Sequence, residues 1–284
     1  MKIIQECVNC QVTNAEKIIN KSNFEKKEFL LDKVKEVAKK FSEYDNPLYL
    51  AHGIFNELKN HIDVEKFFDI QKHKTNNIAK KFLEKFYNQI EKSEDVLFEK
   101  VKFSILGNII DYGIPEQSDK DFEKEFNEIH KYSFGVNHFN KFADELSNAK
   151  NLVYLADNSG EIIFDICLIE HIQKFFPELN IVLGVRSNKI LNDITLEDML
   201  AFGYKGNVVE TGSIYPGTMT DKVSSDFYSL LENADIIISK GQGNFEGLYP
   251  KTDFSVYFAF VAKCDYVANN LGVDKGNLLF FKHN

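Results

Sequence analysis

The chain has 284 residues, of which 44% are hydrophobic and 27% charged, and its formal net charge is −9 at neutral pH. This length and composition predict one large globular domain or two coupled ones, and they exclude an intrinsically disordered chain. No apolar run reaches the roughly 18 residues that cross a bilayer, and acidic residues are interspersed among the lysines. The sequence therefore predicts neither a membrane protein nor a nucleic-acid-binding protein.

The N-terminal segment and the cysteines predict a cytoplasmic protein. The segment MKIIQECVNC is too short and too polar for a signal peptide, and four cysteines argue against a disulfide scaffold. Cys7 and Cys10 form a CxxC pair, but no second pair completes a zinc ribbon and no βαβ pattern surrounds it. A second metal site, a redox function and two packed thiols are all open interpretations of this pair.

Residues 14 to about 148 show helical patterns throughout. Apolar residues recur with the spacing of one helical face in 29–41 and 77–92, and Pro47 and Pro115 fall at breaks between helices. The pattern predicts an all-helical layer over 1–148. In LGNIIDYGI, Asn108 and Asp111 share one face of an apolar helix, where they either line a cleft or tie two layers together.

The second half, 149–284, changes to short β-rich runs with helical patterns such as 161–175 and 221–232 between them. Near-continuous apolar strands that alternate with helices predict a mostly parallel sheet covered on both faces. In such sheets, ligands bind at the carboxyl ends of the strands. The predicted strands are 152–156, 181–185, 207–211, 235–239, 255–262 and 277–281.

The first of these strands ends in LADNSGEIIFD, which places polar residues directly before a helix that starts near Glu161. A plain helix cap is one interpretation. The other is a ligand site, because a helix N-terminus binds anions and Gly160 allows close approach of the backbone. In that case Asp157 and Asn158 offer oxygen ligands for a hard divalent cation, and Ser159 lies beside them.

The second strand is followed by Asp193, which lies 36 residues beyond Asp157. The segment 192–195 is explained by a helix cap at Thr195, but Asp193 also lies next to Asp157 if the two strands are neighbours. Asp157, Asn158 and Asp193 would then form an incomplete oxygen cage. Magnesium-like ions complete such a cage with water and substrate phosphate.

The third and fourth strands are followed by glycine-rich segments. TGSIYPGTMT (211–220) fits an anion-binding loop and an ordinary surface turn equally well. In SKGQGNFEGL, Lys240 can supply the positive charge that a phosphoryl group needs, although a solvated rim lysine is the alternative. Gly241 and Gly243 permit a tight backbone at this point.

Taken together, these motifs resemble those of the metal-dependent damage-control phosphatase family, and in particular its prokaryotic branch with an N-terminal CxxC. The resemblance rests on CVNC, LGNIIDYGI, LADNSGEIIFD, LNDITLED, TGSIYPGT, IIISKGQGNFEGL and AKCDYVANNLGV, in this order, and is strongest from 151 to 284. It implies an α/β/α sandwich with a helical N-terminal subdomain, and hydrolysis of sugar phosphates or damaged phosphometabolites with Mg²⁺, Mn²⁺, Co²⁺ or Ni²⁺. The expected aspartate–proline step is absent from KFFDIQKHKTNN, so no substrate preference is carried over from the helical part.

The resemblance also implies roles for individual residues. Asp157, Asn158 and Asp193 match the metal ligands, and Lys240 matches the lysine that contacts phosphate. The expected substrate-binding set is Ser159, Gly160, Glu161, Lys240, Gly241 and Asn244. The resulting hypothesis is metal-assisted phosphomonoester hydrolysis by a metal-bound water, with a carboxylate such as Asp157 as the other possible nucleophile.

Two other functions are compatible with the same pattern. One is an S-adenosylmethionine-dependent methyltransferase, although DNSGE has a single glycine and an acid–amide pair where such enzymes usually have a glycine-rich loop. The other is a non-catalytic sensor of phosphometabolites, which would use the same cleft for binding alone. Neither the substrate nor the oligomeric state is predicted.

Overall fold

The computed structural model of the chain describes residues 1–41, 44–108, 132–249 and 252–283. Asp111 and Pro115, which the sequence analysis singled out, lie outside the described residues. No helix in these ranges is both long and apolar enough to span a membrane.

The N-terminal part contains five helices within the described residues: α1 (Gln5–Lys21), α2 (Lys27–Ala38), α3 (Pro47–Lys59), α4 (Val64–Glu91) and α5 (Val96–Gly107). Side-chain caps begin three of them, because Asn46, Asp63 and Asp95 each accept a hydrogen bond from a backbone N–H of the first turn. Pro47 occupies the first position of α3, as the predicted break requires. Helices α1 to α3 and the first half of α4 enclose an apolar core of their own.

All six predicted strands are present, and they form one sheet with a seventh strand in the described part of the chain. The order across the sheet is β1-β7-β6-β5-β2-β3-β4; β7 runs antiparallel to β6, and the other neighbouring pairs are parallel. The strands are β1 (Phe134–Asn137), β2 (Asn151–Leu155), β3 (Asn180–Val185), β4 (Asn207–Glu210), β5 (Ile236–Lys240), β6 (Val256–Val261) and β7 (Leu278–His283). The helices among them are α6 (Phe139–Leu146), α7 (Glu161–Phe175), α8 (Leu196–Phe202), α9 (Ser225–Glu232), α10 (Gly241–Leu248) and α11 (Asp265–Leu271).

Strand β1 differs from the expectation that the chain is all-helical up to residue 148. Phe134, Val136 and Asn137 pair with β7, the register shifts at Gly135, and the four residues alternate between half-buried and exposed positions. So short a run shows too little alternation to be separated from a helical pattern in the sequence. The helix predicted over 221–232 also begins later, at Ser225, because the Ser224 side chain caps it.

The sheet has helices on both faces, which confirms the three-layer arrangement. Helices α5, α6 and α7, with the second half of α4, pack on one face, and α9, α10 and α11 pack on the other. Helix α4 belongs to two cores, since Val64 and Phe68 lie in the N-terminal helical core while Ile78 and Phe82 lie in the core against the sheet.

The register of the central strands brings several chain segments to one edge of the sheet. Leu155 of β2 lies opposite Gly184 of β3 and Ser239 of β5, and all three strands are parallel. Their carboxyl ends therefore meet, and the residues that follow them share one cleft.

Candidate functional site

The loops after β2 and β3 bring the three predicted metal ligands together. Asn158 pairs with Asp193 through an isolated antiparallel bridge, and the Asp157 carbonyl accepts a hydrogen bond from the Ile194 N–H at 2.9 Å. The side chains of Asp157, Asn158 and Asp193 are all buried. The two strands are neighbours, as the sequence argument required, so Asp157 and Asp193 share one site.

The Asp157 carboxylate lies close to other carboxylates, those of Asp193 and Glu161. Asn158 Nδ2 donates to its Oδ2 at 2.6 Å. Burial, together with the nearby carboxylates of Asp193 and Glu161, raises the pKa of Asp157 well above its ordinary value, despite the opposing charges of Arg186 and Lys263. A bound cation would relieve this repulsion.

Arg186, the residue after β3, lies fully buried at the centre of the site. Its guanidinium donates to Asp193 Oδ2 at 2.7 Å, to Thr218 Oγ1 at 3.1 Å and to Asn244 Oδ1 at 2.7 Å. One of its nitrogens also lies 3.9 Å from Asp157 Oδ1. Arg186 was not among the predicted site residues. It is nevertheless the only arginine among the 34 basic residues of the chain, which is a signal that the sequence offers.

Lys240, predicted to contact phosphate, is fully buried at the end of β5. Its ammonium donates to the Ser104 carbonyl at 2.9 Å, to Glu161 Oε1 and to Asp165 Oδ1 at 2.7 Å. These partners use the three donors of a lysine, so a direct bond to a phosphate requires one of them to be exchanged. Burial and the Glu161 carboxylate raise the pKa of Asp165 to about 7, although the positive charge of Lys240 acts to lower it.

Asn108 connects the helical layer to this cleft. Its Nδ2 donates to Glu161 Oε2 at 2.7 Å and to Asp157 Oδ2 at 3.3 Å, so it both lines the cleft and joins α5 to the α/β layer. Within the described part of the chain its buried Oδ1 has no hydrogen-bond partner. Buried polar atoms of this kind are uncommon and often mark a ligand site.

The N–H groups of Ser159 and Gly160, which the sequence assigned to phosphate, bind protein acceptors in the structure. Ser159 N–H donates to the Asn192 carbonyl at 2.9 Å, and Gly160 N–H donates to Asn76 Oδ1 at 2.6 Å. The Ser159 hydroxyl lies 3.1 Å from the Thr75 hydroxyl. Gly160 has a φ of 80°, a positive value that glycine adopts far more readily than residues with a Cβ.

The loop 211–220 is not an ordinary surface turn, since Thr211, Ser213 and Thr218 are all buried. The Thr218 hydroxyl accepts from Arg186 and donates to Asn244 Oδ1 at 2.8 Å. Asn244, predicted to bind substrate, also donates to the carbonyls of Ala156 and Lys240 at 3.1 and 2.8 Å. Its amide therefore holds the ends of β2 and β5 and the 211–220 loop together.

The glycines after β5 are required by close packing. A Cβ on Gly241 would lie 1.9 Å from Asp157 Oδ2, and the φ of Gly241 is +76°. A Cβ on Gly243 would lie 2.7 Å from the Pro216 carbonyl oxygen. Both positions therefore bring α10 against the site more closely than any side chain allows.

The donor set at this edge fits a hard divalent cation. The described residues contain no group of three His, Cys, Asp or Glu side chains suited to hold a metal ion, so a cation here would need the Asn158 amide oxygen in addition to Asp157 and Asp193. Two carboxylates and an amide oxygen are ligands that Mg²⁺ and Mn²⁺ accept, with water and substrate at the remaining positions. The raised pKa of Asp157 and the unpartnered Asn108 Oδ1 agree with such an ion.

Cys7 and Cys10 lie on α1 and take part in none of the site contacts described above. Both are free thiols; Cys7 is half-buried and Cys10 is exposed. Burial raises the pKa of the Cys7 thiol, which disfavours the thiolate that metal binding and disulfide exchange require.

A cavity of about 430 Å³ lies between α3 and the loop that links Arg186 to Asp193. Its walls include polar groups of His52, Asn56 and Ser187, and Ile214 contributes an apolar surface. The His52 ring also lies 4.9 Å from the ring of Tyr215, which belongs to the 211–220 loop.

Comparison with known proteins gives a consistent result. The model of the "Damage-control phosphatase ARMT1-like domain" matches residues 3–279. A damage-control phosphatase of Pyrococcus horikoshii is 30% identical over 288 residues, which cover 100% of this chain and 99% of that protein. A damage-control phosphatase of Archaeoglobus fulgidus is 31% identical over 87% of this chain and 86% of its own length. The crystal structure of a DUF89 family protein from P. horikoshii superposes with a TM-score of 0.84 at 28% identity and covers 100% of both chains.

Proposed function

Because the chain belongs to the ARMT1-like damage-control phosphatase family, we propose that it hydrolyses phosphate monoesters of small, damaged metabolites with the help of a divalent metal ion. The proposed ion is Mg²⁺, Mn²⁺, Co²⁺ or Ni²⁺. Nothing in these relatives supports the methyltransferase or the sensor alternative.

One observation carries the proposal: Asp157, Asn158 and Asp193 converge, buried, at the carboxyl edge of a parallel sheet. These three residues would hold the ion. When bound, the ion supplies positive charge that polarises the phosphoryl oxygens. Arg186 orients Asp193 through the Nε bond, and Asn108 and Asn158 orient Asp157 through their amide donors.

The lysines of the site would act in two different ways. Lys240 donates to one oxygen of the Glu161 carboxylate, and Asn108 donates to the other. We therefore assign Lys240 a positioning role, in addition to the positive charge that it brings to the site. Lys263 follows β6 and is half-buried, and its positive charge acts to lower the pKa of Asp157. We therefore propose Lys263 as a further cation that stabilises the charge spreading over the phosphoryl oxygens during transfer.

The organic part of the substrate would occupy the cavity between α3 and the Arg186–Asp193 loop. The lysines on its walls are already paired: Lys59 with Glu65, and Lys189 with Asp69 at 3.0 Å. Their neutralised charges favour an uncharged, polar alcohol over a second phosphate.

The decisive experiment is phosphate release from p-nitrophenyl phosphate by metal-stripped protein, with each of the four ions added back singly. The Asp193→Asn variant should lose metal-dependent release while the exposed Asp226→Asn variant keeps it. Calorimetry should show weaker Mn²⁺ binding to Asp193→Asn alone. Release that needs no metal, or that Asp193→Asn leaves unchanged, would refute the proposal.

A further inference from the structure

Helix α4 presents buried polar residues to both loops that carry the metal ligands. Lys72, Thr75 and Asn76 are 3%, 1% and 8% exposed. This buried part of the helix surface is therefore polar, although buried helix surfaces are usually apolar. Residues three and four apart lie on the same face of a helix. The three side chains therefore act from one rigid surface.

Two of these residues contact the loop that carries Asp157 and Asn158. Asn76 Oδ1 accepts from the Gly160 N–H at 2.6 Å, and the Thr75 hydroxyl lies 3.1 Å from the Ser159 hydroxyl. Gly160 is the N-cap of α7, so Asn76 fixes the point at which this loop turns into the helix.

Lys72 contacts the segment that carries Asp193. Its ammonium donates to Asp198 Oδ2 at 2.8 Å, in an ion pair whose lysine is buried and whose aspartate is partly exposed. The same Asp198 oxygen accepts from the backbone N–H and the hydroxyl of Thr195, at 2.9 and 2.8 Å. Thr195 lies two residues after Asp193 and is bridged to Arg186. One helix turn thus holds both ligand-bearing loops, because Lys72 and Asn76 are four residues apart.

We propose that α4 sets the separation of the two ligand loops, with Asn76 and Lys72 as positioning residues for the metal site. The inference rests on the proposed function, since it concerns the same site. Hard divalent ions demand closely defined oxygen positions. Groups that orient metal ligands from behind typically contribute 10- to 100-fold in metal affinity or activity. Asn76 and Lys72 act one step further out, because Asn76 holds Gly160, two residues after Asn158, and Lys72 holds Asp198, five residues after Asp193.

The test uses the metal-stripped full-length protein with two variants and one control. Asn76→Ala removes the acceptor of the Gly160 N–H, and Lys72→Met removes the charge that neutralises Asp198. Lys81→Met is the control, because Lys81 is an exposed lysine of the same helix. Circular dichroism establishes that each variant is folded; calorimetry then gives Mn²⁺ affinity, and hydrogen exchange follows the Gly160 amide without metal.

We expect Asn76→Ala and Lys72→Met to weaken Mn²⁺ binding by about 10-fold, the lower end of the range for groups that bond a ligand directly, with Lys81→Met unchanged. The Gly160 amide should exchange faster in Asn76→Ala than in the wild type. Adding Asp198→Asn to Lys72→Met should restore part of the affinity, because it removes the half-buried carboxylate charge that Lys72→Met leaves without its cation.

Folded variants that bind Mn²⁺ as tightly as the wild type would overturn the proposed role of α4, even if phosphate release confirmed the phosphatase. Weakened Mn²⁺ binding by the variants of a protein that releases no phosphate would support the role of α4 and refute the proposed function. A wild-type protein that binds no divalent ion would overturn both.

Discussion

Gly241 and Asp157 touch so closely that a single added carbon is excluded: a Cβ at Gly241 would lie 1.9 Å from Asp157 Oδ2. The carboxylate proposed to hold the metal therefore rests directly on the backbone at the start of α10. Any side chain at residue 241 must displace either the helix or the ligand.

The Gly241→Ala variant should lose about 100-fold or more in phosphate release, because a misplacement of about 1 Å can have this effect. Gly272→Ala is the matched control, since Gly272 also has a positive φ, +66°, with nothing within 4 Å of an added Cβ. Gly272→Ala should lose roughly 1–2 kcal/mol of stability from the positive φ alone, and Gly241→Ala should lose more because its Cβ also clashes with Asp157. Initial rates and urea unfolding separate the two effects, and equal activity in the two variants would contradict the prediction.

Arg186→Lys should destabilise the fold although it keeps the charge. A lysine cannot reproduce the fork that reaches Asp193, Thr218 and Asn244, and each hydrogen bond lost from the charged guanidinium costs about 1–3 kcal/mol. Urea denaturation should show this loss, and Mn²⁺ affinity should fall with it. If the Arg186→Lys variant were as stable as the wild type, a single ammonium group would be sufficient to hold this site together.

Asp165→Asn should remove a pH dependence of stability. The pKa of Asp165 in the folded protein is about 7, above its ordinary 3.8. Between these values the folded state holds a proton that the unfolded state has released, so stability decreases as the pH rises through this window. Asparagine does not titrate, and its curve of unfolding free energy against pH should be flatter there. Curves that run parallel for the wild type and the variant would argue against the raised pKa.

Substitutions in the cavity between α3 and the Arg186–Asp193 loop should change the KM for different substrates more than they change kcat. Losing a hydrogen bond from Asn56 to the alcohol part should raise KM for natural phosphate esters roughly 3- to 10-fold in Asn56→Ala. The KM and kcat for p-nitrophenyl phosphate should change little, because its aryl group makes no such bond. An equal fall of kcat for all substrates would place Asn56 in the catalytic machinery instead.

The double variant Cys7→Ser/Cys10→Ser should release phosphate at the wild-type rate, with or without a reductant. The half-buried Cys7 thiol stays protonated near neutral pH because its pKa is raised, and a thiol is a poor nucleophile and metal ligand. A rate that depends on reductant in the wild type alone would show that the pair has a redox function.

Helices and strands were predicted correctly where the pattern of apolar residues along the sequence is strong. The apolar runs predicted at 235–239 and 255–262 correspond to the fully buried strands β5 and β6, as near-continuous apolar runs indicate. The convergence of Asp157 with Asp193 was predicted on the condition that their two strands are neighbours, and β2 and β3 are paired in the structure. Strand β1 was missed because its four residues, two half-buried and two exposed, are too few to distinguish a strand from a helical pattern.

The tertiary partners of the site residues could not be predicted. Nothing local to Lys240 indicates that Ser104, Glu161 and Asp165 surround it, because these residues are distant in sequence. Asn76 and Lys72 fit a helical pattern, which says only that α4 has a face and not what covers it. Arg186 could have been noticed, since a lone arginine after a buried strand suggests a task that lysine cannot perform.

Helix α4 also bears on how the protein unfolds. Its 28 residues extend for about 42 Å at 1.5 Å per residue, and its two halves are anchored in different apolar cores. Melting of either core would expose half of this helix and weaken the other core. We therefore expect the helical layer and the sheet to denature in one cooperative transition, and a fragment that lacks α1 to α3 to be readily cleaved by proteases along the first turns of α4.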